Sequence, residues 1–161
     1  SKSGPTTSKP STSTGGNVMK GATYKRIPST RVEVPIPPGW RVAKRGLYSF
    51  AISPDKKAML AFTTVSSRGE FRGRTLHAWR KFKITGCTKG PSKKGGLGPD
   101  KMPSSLIDYE CNFNGVPSYV STVLVNAGQR AFPFVIYAVE KSASKRTFKQ
   151  AKQTVLNMRK R

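Results

Sequence analysis

Val32, Val34 and Ile36 alternate with Arg31, Glu33 and Pro35, the two-residue period of a half-buried strand. Pro35 has no amide to donate, which places this strand at a sheet edge or ends it there. Pro37-Pro38-Gly39-Trp40 then turns the chain and returns Trp40 to the core. Strand-like residues fill 47–53 and 58–65, and Pro54-Asp55-Lys56-Lys57 between them supplies a turn. Pro fixes φ there and Asp offers a side-chain acceptor, so the two segments form a hairpin. From Thr75 the period lengthens. Leu76, Trp79 and Phe82 recur at i, i+3 and i+6, predicting a helix over 75–84 that Thr75 caps and Gly86 stops. Residues 88–103 hold four Gly, three Pro and four Lys and read as a long loop. Strands follow over 106–113, 118–125 and 132–139, the first two joined by the hairpin signal Asn114-Gly115. A last helix over 144–158 places Phe148, Ala151, Val155 and Met158 on one face. There is no internal repeat.

Residues 1–21 contain no large apolar side chain before Val18. Such a Ser/Thr/Pro/Gly segment cannot bury enough surface to offset its ordering entropy, so it reads as a disordered tether. A mere overhang would look the same. The folded unit is expected over 22–161 as one α+β domain. The chain opens on Ser1, which suits a processed or trimmed chain.

The order strand, hairpin, helix, three antiparallel strands, helix predicts an α+β fold, a curved antiparallel sheet sandwiched by two or more helices. Val34-Pro35-Ile36-Pro37-Pro38-Gly39-Trp40, then Phe50-Ala51-Ile52-Ser53-Pro54-Asp55, the Asn114-Gly115 hairpin, the final strand and the C-terminal helix carry a resemblance. In these features the chain is similar to the PsbP-like superfamily, which includes the photosystem II extrinsic protein and DcrB-type bacterial envelope proteins. The resemblance covers Arg31 to Met158. It implies a PsbP-like α/β/α sandwich and a binding or assembly module rather than an enzyme, because it brings no shared catalytic set.

Charge changes the picture most. Thirty Lys and Arg stand against seven Asp and Glu, a net charge of +23. A mixed soluble surface of this size carries a net charge of roughly 2–8. The excess attracts polyanions, so the expected partner is acidic: an acidic protein, an anionic lipid or polysaccharide, or nucleic acid. Candidate anion-binding residues fall in three groups. Arg72, Arg74, Arg80 and Lys81 flank and cover the first helix. Lys145, Lys149, Lys152 and Lys160 fall on one arc of the last helix, which also holds Leu156 and would otherwise be a solvated face. Lys93 and Lys94 lie in the Gly-rich loop, a basic flap or a disordered segment. That loop lacks the Gly-Lys-Ser/Thr entry to a helix that a P-loop needs.

Other chemistry is sparse. Asp108 and Glu110 share a strand face, where a salt-bridged outer surface is the ordinary reading and acid–base work the sharper one. His77 has no Ser or Cys partner in a recognisable motif. No residue is assigned as catalytic, no metal set has ligand spacing and no cofactor is expected. Cys87 after the first helix and Cys111 on the next strand could meet as a disulfide in an oxidising compartment; two thiols are the alternative. No stretch approaches the ~20 apolar residues that span a bilayer. The leading expectation is a non-enzymatic, strongly basic binding module, exported, periplasmic or membrane-tethered. The rival is a cytoplasmic nucleic-acid-binding protein that uses the basic helices and loop.

Overall fold

The computed structural model describes residues 18–128 and 130–161. The expected tether therefore lies outside the described residues up to residue 17. Its last part does not hang free: Val18 is buried, and its carbonyl accepts a hydrogen bond from Gln150 Nε2 at 3.3 Å.

The strands are β1 (Thr23–Arg26), β2 (Val32–Ile36), β3 (Arg41–Arg45), β4 (Tyr48–Ile52), β5 (Ala58–Val65), β6 (Ile84–Leu97), β7 (Met102–Phe113), β8 (Val116–Val125), β9 (Phe132–Glu140) and β10 (Arg159–Lys160). The helices are α1 (Phe71–Lys81), entered through a 3₁₀ turn at Arg68–Glu70, and α2 (Lys145–Leu156). Seven strands make one antiparallel sheet in the order β3-β4-β5-β9-β8-β7-β6. A small antiparallel sheet has the order β1-β2-β10. This is the expected α+β class, a large antiparallel sheet with two helices.

Alternation along the central strands divides the core in two. Val135, Val139, Val123, Leu60 and Phe62 point to the face covered by α2 and the small sheet, where they meet Ala151, Val155 and Met158 with Val32, Val34 and Ile36. Phe134, Ile136, Ala138, Met59 and Ala61 point to the other face, where Ala78 and Phe82 come from α1 and its end. The hairpin of β4 and β5 forms where Pro54 and Asp55 placed it. Asp55 Oδ1 accepts from Ser53 Oγ at 2.5 Å and from Lys57 N at 3.0 Å, closing the turn. Asn114 and Gly115 both take positive φ, 52° and 80°, as the tight turn between β7 and β8 requires.

Several expectations need correction. The Gly- and Lys-rich segment is no loop. It forms most of β6, which pairs with β7 from Ile84↔Phe113 to Leu97↔Met102 with two register breaks. As a solvent-facing edge strand, exposed from Thr88 to Gly96, it has no buried side to impose an alternation on its sequence. α1 starts at Phe71, not Thr75. Thr75 lies inside it and its hydroxyl donates to Phe71 O at 2.9 Å, so it caps nothing. The helix is rotated from the expected stripe: Thr75 and Ala78 are buried, and Leu76 is 41% exposed. β2 is central in its sheet and buried throughout, because Arg159 and Arg161 cover Glu33. Pro35 is tolerated because β10 pairs only with Glu33 and Val32, leaving β1 as the neighbour at Pro35. Lys160 lies in β10, beyond the end of α2, and does not share a helical arc with Lys145, Lys149 and Lys152.

Candidate functional site

Ser144 starts α2: its hydroxyl accepts from Thr147 N at 3.2 Å, an N-cap bond. Thr147, Gln150, Ala151, Thr154 and Val155 then face the sheet, and Lys145, Lys149, Lys152 and Leu156 face out. The helix does not cover the whole face. Between it and β6–β9 runs a cleft of about 500 Å³ whose floor and walls include Tyr119, Tyr137 and Phe148. Tyr119 and Phe148 touch, with ring centroids 5.8 Å apart. Through Asp108, Tyr137 and Lys152 the cleft continues into a second of about 390 Å³, lined also by Leu106, Val155 and Leu156.

The groove is walled by cations from two elements. Lys89, Lys93 and Lys94 come from β6, and Lys149 and Lys152 from α2. All five are exposed, and none is in an ion pair among the described residues. The two carboxylates in the groove are engaged. Ser121 Oγ donates to Asp108 Oδ1 across the β7–β8 pair, and Lys141 Nζ meets Glu110 Oε1 at 2.5 Å. The Glu110 hydrogen bond raises the Lys141 pKa. Burial raises the Tyr137 pKa, partly offset by a hydrogen bond with Ser121. The groove thus presents aromatic surface between lysine walls, with the Asp108 and Glu110 carboxylates hydrogen-bonded on its β7 side, a form that can take an anionic group with apolar parts.

Of the sequence candidates, Lys93, Lys94, Lys149 and Lys152 converge here. Lys145, one helical turn before Lys149, lies outside the two clefts, and Lys160 is carried away on β10, its backbone N–H bonded to Asp100 Oδ2 at 2.6 Å. Arg72, Arg74, Arg80 and Lys81 sit on α1, which packs on the opposite face of the sheet. Asp108 and Glu110 do share one face, but each is held by its own partner. His77 finds Tyr48: the two are 2.8 Å apart between Oη and Nδ1. Burial, with the charges of Arg74, Arg80 and Lys81, lowers the His77 pKa, which favours the neutral ring as acceptor for the Tyr48 hydroxyl. Cys87 and Cys111 stand on neighbouring strands with their sulfurs joined at 2.12 Å. Among the described residues no group of His, Cys, Asp and Glu could hold a metal ion, and no helix is long and apolar enough to cross a membrane.

Sequence reasoning missed Lys89, Tyr119, Tyr137 and Phe148 as parts of one site. Tyr119 lies two residues from Ser121, so the two share a face, and Ser121 is paired with Tyr137 on β9. The register that brings them together is absent from the sequence. Phe148 was legible as an apolar helix position, but its partial exposure at the groove was not.

No protein-family model and no curated protein matches the sequence. Solved structures do match in fold. LpqN, involved in cell envelope biogenesis of Mycobacterium tuberculosis, is 12% identical with a TM-score of 0.52, over 85% of this chain and 88% of that one. A Bacteroides thetaiotaomicron protein is 11% identical with a TM-score of 0.51, over 81% of this chain and 45% of that longer one. The Saccharomyces cerevisiae Ran-binding protein Mog1p is 8% identical with a TM-score of 0.49, over 84% of each chain. LpqN, a protein of Mog1/PsbP-like fold, shares the fold of this chain, consistent with the fold that the PsbP-like resemblance implied, while no sequence match supports the family itself.

Proposed function

We propose that this chain is a non-catalytic binding module that docks an acidic partner in the groove beside α2, at a cell envelope. The observation that carries this reading is the meeting of β6 and α2 lysines around one aromatic-floored groove whose carboxylates are already engaged. Desolvating those lysines against an anionic partner releases counterions, while Tyr119, Tyr137 and Phe148 add apolar contact that salt does not weaken. The joined cysteines and the envelope role of LpqN, a fold neighbour, support export. The nucleic-acid alternative used both basic helices together; α1 and α2 lie on opposite faces of the sheet, which weighs against one duplex meeting both.

The test measures affinity against salt for three probes: poly-glutamate, vesicles containing phosphatidylglycerol, and a DNA duplex. The K149Q/K152Q variant should bind its best probe at least tenfold more weakly at low salt, with a shallower log–log salt slope. Y119A should weaken binding without changing that slope. An unchanged slope in K149Q/K152Q would remove the groove from the interface. Preference for the duplex, lost on changing Arg72 and Arg80 instead, would establish the alternative.

A further inference from the structure

On the α1 side of the sheet, a smaller cleft of about 260 Å³ opens where the β6–β7 hairpin ends. Three cations from three separate segments line it: Arg68 from the 3₁₀ turn before α1, Lys94 from β6, and Lys101 from the β6–β7 turn. The α2 groove contains Asp108 and Glu110, whereas no carboxylate lines this cleft. None of the three cations is in an ion pair among the described residues. Like charges brought together without a counter-charge form a focused positive potential that an anion relieves.

Neutral donors stand beside the cations. Asn126 lines the cleft, and its Oδ1 is occupied by the Gly128 amide at 2.9 Å, which leaves its NH₂ as the group free to donate. Ser105 offers a hydroxyl, while Ser104 Oγ is already bonded to Gly95 O at 3.1 Å. The floor is apolar, built from Leu124, Phe132 and Pro103. Gly96 keeps the wall thin: a Cβ there would lie 3.1 Å from Lys101 Cβ and crowd that lysine.

We infer that this cleft is a second binding site, on the α1 side of the sheet and sharing of its three cations only Lys94 with the α2 groove, for a phosphate- or sulfate-bearing group attached to an apolar body. Arg68 supplies the planar fork that suits a tetrahedral oxyanion, and Lys94 and Lys101 add point charges. Ser105 and Asn126 complete the donor set. The volume admits one small group, and Phe132 and Leu124 receive the atoms next to the anion. The same chemistry is offered by a free organic phosphate or by a lipid phosphate headgroup.

The experiment is an amide NMR titration of the full chain with phenyl phosphate. Saturable shifts are expected at Arg68, Gly95, Gly96, Lys101 and Asn126. Inorganic phosphate should move the same amides with at least threefold weaker affinity, because it leaves the apolar floor empty. R68Q/K101Q should weaken phenyl phosphate binding at least tenfold while its remaining amide spectrum shows an intact fold. K149Q/K152Q should leave it unchanged, so failure here is distinct from failure of the α2 groove. Shifts spread evenly over exposed lysines, or an affinity indifferent to R68Q/K101Q, would overturn the site. Once the site is established, vesicles with phosphatidic acid separate the two sources: competition with phenyl phosphate assigns a lipid headgroup, and its absence a free organic phosphate.

Discussion

Trp40 Nε1 donates a hydrogen bond to Gln150 Oε1 at 3.2 Å, joining the Pro-Gly-Trp turn to the middle of α2 across 110 residues of sequence. Both side chains are buried, and the same Gln150 amide donates to Val18 O. One side chain therefore fixes α2 against the turn after β2 and against the start of the described chain. Since α2 forms one wall of the groove, the position of Lys149 and Lys152 depends on this contact.

Replacing Gln150 by Leu keeps much of the apolar volume but leaves the Trp40 indole N–H and the Val18 carbonyl without this partner. A loss of about 1–3 kcal/mol is expected, the usual cost of orphaning buried polar groups. Denaturant unfolding measures it. In W40F the donor is already absent, so Q150L should cost less there than in the wild type. Equal costs in both backgrounds would show that the bond contributes nothing.

Cys87 and Cys111 are 24 residues apart and join the first residues of the edge strand β6 to β7. Closing a loop of that size stabilises a fold by about 3 kcal/mol in the chain-entropy account. Freshly isolated protein should contain no alkylatable thiol under denaturing, non-reducing conditions. The C87A/C111A variant should lose stability by roughly that amount. Finding two free thiols in native protein would refute the bond and weaken the case for export.

Gly98 and Gly73 should respond to alanine in opposite directions. Gly98 has φ +74°, and a Cβ there would meet Met158 O at 2.0 Å, where the β6–β7 turn passes the end of α2. Neither the backbone nor that carbonyl can yield cheaply, so G98A should cost more than about 2 kcal/mol. Gly73 lies inside α1, and nothing stands within 4 Å of its added Cβ. G73A should stabilise by about 0.5–1 kcal/mol, because alanine loses less backbone entropy in a helix. Thermal unfolding of the two variants checks both signs.

The parts of the fold that carry their own local signals were legible. Pro54-Asp55 closes the β4–β5 hairpin with side-chain bonds inside the turn, and Ser144 caps α2 three residues before the amide it binds. What was not legible depends on a distant neighbour. Residues 88–97 follow β7 as a strand, although Gly, Pro and Lys dominate their sequence. β3 is exposed at every residue and shows no buried face. The candidate lysines were visible as charge, but their sorting onto two faces of a sheet came from pairing register. So did the separation of Lys160 from the α2 arc and the use of Arg159 and Arg161 within the fold.

Those two arginines set the pH response. Arg159 Nε and Arg161 Nη1 each lie 2.9 Å from an oxygen of Glu33, and Arg159 also rests over the Tyr24 ring, 3.5 Å from its centroid. The hydrogen bonds from Arg159 and Arg161 hold the Glu33 carboxyl below the usual glutamate value, against the opposing effect of burial. The folded chain therefore binds fewer protons at this site than the unfolded chain, so stability rises with pH. Its contribution is fully present above the unfolded glutamate pKa, about 4.3, and is lost as pH falls through the lower folded value. Denaturant unfolding between pH 7 and pH 3 should show stability falling in that acid window. Asp55 and Glu70, also lowered, add to the slope: at Asp55 burial opposes ionisation but the bonds from Ser53, Lys57 and Thr147 prevail, and at Glu70 the Ser66 hydroxyl is the main cause. E33Q should be less stable than wild type at pH 7 and lose less on acidification, with a residual slope from the other two carboxylates. R161Q should flatten the acid response partially, because Arg159 still holds Glu33. An acid response identical in wild type and E33Q would mean that Arg159 and Arg161 are not committed to Glu33 and belong with the cations available to an acidic partner.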